Sequence, residues 1–242
     1  MAGIAKGEPW GVAHAGPADL EVAGDDADLA VALGAHPGRL VAWVPRPEAD
    51  LARALGLRAG ARIGPPTWAL PLDLLRVVGT GDRTAVNAIV LGAGPGGARF
   101  LDRWATVRVT VDGRTACDDR RAIGVVVANG PFLGGARASL RAHPGDGRLD
   151  VLVLALARGQ RREMRRRLAT ASHLPHPDLV TATGRRVVVE SDRALPLTID
   201  GRVAGMATRL EVVVDPAVAN VLVGPPGTRP DEGSPGDATR PA

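Results

Sequence analysis

The chain has 242 residues, room for one large domain or two small ones, and a formal net charge of only +4. Its hydrophobic share of 45% supports a buried core, but with 2 Phe, 4 Trp and no Tyr that core falls to Val, Leu and Ala, material suited to strands. The lone Cys117 excludes a disulfide framework or a cysteine-based zinc site, and no run approaches the roughly 18 uncharged apolar residues of a membrane-spanning helix.

Residues 1–10 read as a loose start. Pro9, Trp10, His14, Pro17 and Asp19 interrupt any apolar run, so no signal peptide is expected and a cytoplasmic protein is the expectation. Asp26–Leu33 is rich in Ala and Leu and predicts a short helix. Residues 39–44 predict a buried strand ended by Pro45. Pro47–Leu57 predicts a second helix, with Pro47 in its first turn and Gly60 soon after its end. This alternation implies a small α/β layer.

From about residue 85 the period changes to that of strands. Strands are predicted at Val86–Leu91, Thr106–Val111, Ile123–Ala128, Leu149–Leu156, Arg186–Glu190, Pro196–Ile199, Leu210–Val214 and Val221–Val223. Asp112-Gly113, Gly134-Gly135, Pro144-Gly145 and Asp200-Gly201 supply turns between them. The spacing predicts a β-sandwich or barrel. Arg158–Thr170 is the one strong helix in this half, with Met164 and Leu168 four apart as an apolar pair. The stretch after Gly224 is Pro/Gly-rich and is expected to be disordered.

The segments 127–135, 144–151, the arginine-rich helix with 173–177, and 197–202, in that order, resemble the bacterial diacylglycerol kinase (lipid kinase) family of the NAD kinase/diacylglycerol kinase superfamily. Val127-Ala-Asn-Gly-Pro-Phe-Leu-Gly-Gly135 is similar to the family's strand ending in Asn-Gly before an aromatic and a glycine cluster. Pro144-Gly-Asp-Gly-Arg-Leu-Asp-Val151 resembles its Asp-Gly-x-Leu-Asp-Val turn and strand. The arginine-rich helix before His173-Leu-Pro-His-Pro177 stands where the family has a helix. Leu197-Thr-Ile-Asp-Gly-Arg202 resembles its Asp-Gly-Glu signature, with Arg202 in place of the Glu. Together they cover about residues 85–223.

In the N-terminal part, Ala23-Gly24-Asp25-Asp26-Ala27 looks like the family's Gly-Gly-Asp-Gly-Thr, whose glycines let the backbone approach ATP phosphates. Gly24 and Asp25 match; Asp26 and Ala27 replace Gly and Thr, and an added carboxylate repels a triphosphate. Pro45-Arg-Pro-Glu-Ala-Asp-Leu-Ala-Arg53 resembles the next motif through Pro45, Asp50, Ala52 and Arg53, without its Gly-Thr-Gly-Asn core. About two dozen residues precede Gly24, so the family's first βαβ segment is expected to be missing from this sequence.

The resemblance implies an α+β fold: a reduced α/β segment over residues 1–75, an antiparallel β-sandwich over 76–224, and a disordered tail over 225–242. It implies ATP-dependent phosphorylation of a lipid hydroxyl, with ATP and Mg²⁺ as cofactors and a diacylglycerol-like lipid as substrate. The alternative is a catalytically inactive relative that binds lipid or a partner protein.

By resemblance Asp200 is the general base; read locally, Asp200-Gly201 is a hairpin turn. Gly24 and Asp25 are implied at the nucleotide, and Asn129, Gly134 and Gly135 at the substrate cleft, against the local reading of an Asn/Gly chain reversal. Asp146 and the carbonyl of Leu149 are implied at a Mg²⁺ ion, against solvent-exposed turn carboxylates. His143, His173 and His176 read as loop histidines packing on the sandwich rather than a zinc cluster. Arg158, Arg161, Arg162 and Arg165 read either as a solvated helix face in an arginine-biased composition or as a peripheral contact with the inner face of the membrane. Nucleic acid is not expected, because aromatic stacking residues are scarce.

Overall fold

A computed structural model describes residues 10–79, 83–94, 104–139 and 141–224. The expected disordered tail at 225–242 and most of the expected loose start lie outside these residues.

Strands β1 (Val12–His14) and β2 (Leu20–Gly24) lead into helix α1 (Asp26–Ala35). A reciprocal capping box starts α1: the Asp25 carboxylate accepts from the Asp28 amide at 3.0 Å, and the Asp28 carboxylate from the Asp25 amide at 3.1 Å. Leu29 and Leu33 are fully buried on one face, each contributing about 2 kcal/mol of transfer free energy. Strand β3 (Leu40–Pro45) alternates, sending Val41 and Trp43 inward. Helix α2 spans only Asp50–Ala54, shorter than the predicted Pro47–Leu57. Residues 46–49 instead form a turn closed by the Ala49 amide on the Arg46 carbonyl.

Next come β4 (Thr67–Val77), β5 (Thr84–Ala85), β6 (Ala88–Gly92), β7 (Ala105–Val111), β8 (Arg114–Ala122), β9 (Gly124–Ala128) and the small hairpin β10 (Phe132–Leu133) with β11 (Ala136–Arg137). Then follow β12 (Leu149–Leu154), α3 (Arg161–Ala169), β13 (Leu179–Gly184), β14 (Arg186–Ile199) and β15 (Arg202–Val223). Four predicted strands merge into the last two, because the register of β14 against β15 continues across an irregularity between Glu190 and Leu195.

The thirteen strands other than β10 and β11 are hydrogen-bonded into one continuous system. Its sandwich part is antiparallel, as expected of the α+β fold. One core fills the sandwich, with Val125, Val127, Val151 and Val153 turned into it. Val126, Ala128, Leu152 and Leu154 alternate to the opposite faces of β9 and β12 and pack beneath Met164 and Leu168 of α3. Both faces of these strands are covered, which explains the unbroken apolar sequence of β9 and of β12 after Asp150.

The α/β layer has its own core, formed by α1, α2, β3 and parts of β4 and β15. Strands β2, β3 and the end of β15 run parallel there. Strands β4 and β15 pass through both cores: Leu70, Leu72 and Leu74 belong to the α/β core, Leu75 and Val77 to the sandwich. A boundary at residue 75 therefore falls inside β4. Asp73 holds this crossing. Its buried carboxylate accepts from the Gly147 amide at 2.6 Å and from the Ala217 amide at 2.9 Å, where β15 shifts register.

Candidate functional site

The turn between β14 and β15 is the hairpin that the sequence predicts. Asp200 and Gly201 have φ of 44° and 78°, the left-handed pair that matches strand twist. The same turn carries a buried carboxylate. Asp200 is 8% exposed, and its oxygens accept from the amides of Val86 at 2.7 Å, Asn87 at 3.0 Å and Ala88 at 2.8 Å. Burial pushes its carboxyl up to about 6, against the pull of those three donors. The hairpin turn that the sequence predicts thus holds Asp200 as a buried, hydrogen-bonded carboxylate.

Asp200 lines a cavity of about 480 Å³ together with Asp25, Asp26, Glu48, Asp50 and Arg202. Each of four carboxylates is anchored. Asp26 accepts from the Asp50 amide at 3.1 Å and the Leu51 amide at 3.2 Å, capping α2 from a distance. Burial, followed by repulsion from Asp200, raises Asp26 to about 8, so it is mostly protonated at neutral pH. Asp50 accepts from the Gly134 amide at 2.5 Å and the Gly135 amide at 2.8 Å. Asp25 caps α1 and receives the Arg202 guanidinium at 2.8 Å; Arg202 also reaches Asp28 at 2.7 Å. The hydrogen bond from Arg202 holds the Asp28 carboxyl below its ordinary range.

Gly24 has φ of 153°, and a Cβ there would collide with the Asp28 carboxylate. Its glycine is needed for the capping box itself. A triphosphate brought to the front of α1 would meet Asp25 and Asp28 already joined to Arg202. Near a protein surface two like unit charges about 4 Å apart repel by about 4 kcal/mol.

The other candidates are dispersed. Asn129 is fully buried and donates to the Val86 carbonyl at 2.8 Å and the Asp73 carbonyl at 3.3 Å, stitching β4 and the approach to β6 onto the end of β9. Gly134 lines the acidic cavity. Gly135 accepts at its carbonyl from Arg53, whose guanidinium also lies 5.4 Å from the centre of the Phe132 ring. Asp146 is half-buried and accepts from the Arg148 amide at 2.9 Å, while burial raises its carboxyl. Leu149 is fully buried in the sandwich core. Among the described residues no three His, Cys, Asp or Glu side chains are grouped to hold a metal ion.

The histidines occupy separate settings. His143 stacks edge-on against Trp10 at 4.3 Å, His173 is buried with Nε2 at 2.9 Å from the Ala138 carbonyl, and His176 accepts from the Asp178 amide. The arginine helix needs a correction. Arg158, Arg162 and Arg165 are exposed, but Arg161 is 2% exposed. It stands three and seven residues before Met164 and Leu168, on their inward face, and cannot meet a headgroup. No helix of the described residues is long and apolar enough to cross a membrane.

Sequence reasoning missed a second cavity of about 700 Å³ on the outer face of β9, β12 and β13. Val126, Ala128, Leu152 and Leu179 form its floor, and Leu174 and Pro175 part of its rim. Asp150, held by Ser139 and Thr183 at 2.7 Å each, is a fixed polar group in its wall, beside Arg141, His176 and Thr181. Leu133 of the β10–β11 hairpin lines both cavities. The uninterrupted apolar run of β9 was a signal that both its faces are covered, but nothing local marks a gap in that cover. Asp73 had a plainer signal, a carboxylate inside the apolar run 70–77.

No curated protein matches the chain. Solved structures do. A diacylglycerol kinase from Bacillus anthracis str. Sterne superposes with a TM-score of 0.67 at 18% identity, over 86% of this chain and 77% of that one. A provisionally assigned diacylglycerol kinase from the same organism gives 0.67 at 16% identity, over 86% and 79%. A further structure so assigned gives 0.65 at 15%, over 84% and 77%. These likenesses establish the fold. Residues 96–223 match the family model of the YegS C-terminal NAD kinase beta sandwich-like domain, and with more than half of its length so matched, the chain belongs to that family.

Proposed function

We propose that this chain is a lipid-binding relative of the diacylglycerol kinases, in which the nucleotide side is closed by the protein's own side chains. One observation carries the reading: the two cavities that meet at Leu133 differ in charge, with Asp25, Asp26, Glu48, Asp50 and Asp200 lining one and Asp150 as the carboxylate of the other. The larger, about 700 Å³, is floored by aliphatic side chains and lies in the size range of small-molecule sites. The smaller is ringed by carboxylates, with Arg202 spent on Asp25 and Asp28. Acyl chains suit the first, and a triphosphate is repelled by the second. The exposed Arg158, just before α3, and Arg162 and Arg165 on it suit contact with an anionic membrane surface at the cytoplasmic face. Neither ATP nor Mg²⁺ is required.

A second reading, ATP-dependent phosphorylation of a lipid hydroxyl, is favoured by Asp200 alone. A carboxylate raised to about 6 at a cavity wall is suited to accept a proton.

Two measurements on purified protein separate them. Labelled γ-phosphate transfer from Mg-ATP into a bacterial lipid extract is assayed beside Asp200→Asn. Lipids retained by the protein are identified by mass spectrometry, with Leu152→Trp as the variant that fills the cavity. We expect no transfer, and retained lipid that is lost in Leu152→Trp. Transfer that vanishes in Asp200→Asn would replace this reading with the kinase. Neither transfer nor retained lipid would end both.

A further inference from the structure

We infer that Asp50 and Arg53 are positioning residues that hold the β10–β11 hairpin as a closed partition over the lipid cavity, so that lipid exchange is governed from α2. The inference rests on the lipid-binding reading above.

The hairpin is short. Phe132 pairs with Arg137 and Leu133 with Ala136 in a separate two-stranded unit, outside the continuous sheet system. Two-stranded hairpins are at best marginally stable in water, so this one depends on what it touches. Its turn, Gly134-Gly135, has φ of 60° and 77°, and the Asp50 carboxylate takes both turn amides, one on each oxygen. Arg53, one helical turn on, donates to the Gly135 carbonyl and lies over the Phe132 ring. The Phe132 carbonyl accepts from the Asn87 side chain at 3.1 Å. Most of these polar ties thus come from one five-residue helix.

Leu133 is the hairpin residue that lines both cavities. Releasing the hairpin would join the apolar cavity to the acidic one and open a path for an acyl chain. The clasp is made of charge-assisted bonds at an exposed surface, which can break without disturbing either core. Asp50 and Arg53 are also two of the residues that resemble the family's motif over Pro45–Arg53. Here they grip the partition.

The test uses the full chain and vesicles of phosphatidylglycerol and phosphatidylethanolamine carrying a pyrene-labelled diacylglycerol. Uptake by the wild type is measured first, then release to unlabelled acceptor vesicles. Asp50→Ala should release the probe about tenfold faster, the loss of two hydrogen bonds to a charged group. Asp50→Asn, which keeps one acceptor oxygen, should fall between. Amide exchange should rise across 132–137 and stay unchanged in β9 and β12. Should Asp50→Ala not fold, Arg53→Gln and Asp50→Asn carry the same comparison. Uptake by the wild type with unchanged release in the variants overturns the clasp and leaves the lipid reading intact. No uptake by the wild type overturns the lipid reading and the clasp with it.

Discussion

The two cavities separated by Leu133 differ in what holds their walls. The acidic one owes its shape to carboxylates locked on backbone amides: Asp200 on three, Asp26 and Asp50 on two each, Asp25 on one. The apolar one owes its shape to the outward faces of β9 and β12, whose inward faces fill the sandwich core. Where the amides are buried, as those on Asp200 and the Leu51 amide on Asp26 are, a hydrogen-bonded wall resists replacement, because losing the acceptor leaves them unpaired; the Gly134 and Gly135 amides on Asp50 are exposed and form its looser part. An aliphatic wall tolerates another apolar group of similar volume. Rigidity therefore sits on the polar side and adaptability on the apolar side.

The sharpest way to break this contrast is to remove Asp200. Asp200→Ala leaves the amides of Val86, Asn87 and Ala88 buried and unpaired. At about 1–3 kcal/mol for each lost acceptor, the expected cost is roughly 4 kcal/mol. Asp200→Asn, with one acceptor oxygen, should cost about half. Urea denaturation measures both. A cost for Asp200→Ala below about 1 kcal/mol would show that the acidic wall relaxes as readily as the apolar one, and the contrast would fail.

The next effect is a pH dependence of one sign. Asp26 is held near 8 in the folded protein against an ordinary value of 3.8. A raised carboxyl contributes stability below its unfolded value and loses it as pH climbs through the folded one. Asp73 and Asp200, both near 6, have finished that loss by pH 7. Burial lowers the pKa of His143 and His173, so they add stability as pH rises and oppose the Asp26 slope weakly above pH 7, while the buried Cys117 thiol, raised by burial, acts mostly above pH 8. Between pH 7 and 8 the slope belongs mainly to Asp26. Unfolding free energy should fall by roughly 1 kcal/mol over that unit, and Asp26→Asn should flatten it. A rise across this window, or an equal slope in the variant, would mean that Asp26 is ionised in the folded protein.

What was legible in the sequence was local. The Asp112-Gly113 and Asp200-Gly201 turns, α1 and the apolar β9 each follow from neighbouring residues. Strands β2, β4, β8 and β13 went unread for reasons that are also local. Pro71 and Asp73 interrupt the pattern of β4, charges fill both faces of β8, and β13 is Thr, Ala and Gly over much of its length. Asp200 was found through resemblance, and its three amide partners lie more than 110 residues away. The Asp50 clasp spans 84 residues and the Arg202–Asp25 pair 177. No spacing rule reaches across such distances, so a motif residue could be recognised while its present task could not. Arg161 failed differently: a run of arginines reads as a solvated face until the helix phase relative to Met164 and Leu168 is taken into account.

The smallest effect concerns Arg202, where the family signature has Glu. The guanidinium side chain is 51% exposed, while Asp25 and Asp28 are 18% and 32% exposed. Solvent screens such a cluster, but its contacts to two carboxylates give it better geometry than a common surface pair. Arg202→Ala should therefore cost about 1 kcal/mol at low salt and clearly less in 1 M salt, where the Debye length shrinks to about 3 Å. The variant should not gain affinity for Mg-ATP, because the Asp25 and Asp28 carboxylates remain, and removing the cation deepens the negative potential. Isothermal titration with Mg-ATP checks this second half. A variant that binds the nucleotide would identify Arg202 as the whole obstruction, and the acidic cavity would then be a nucleotide site held shut by one side chain rather than one rebuilt by several.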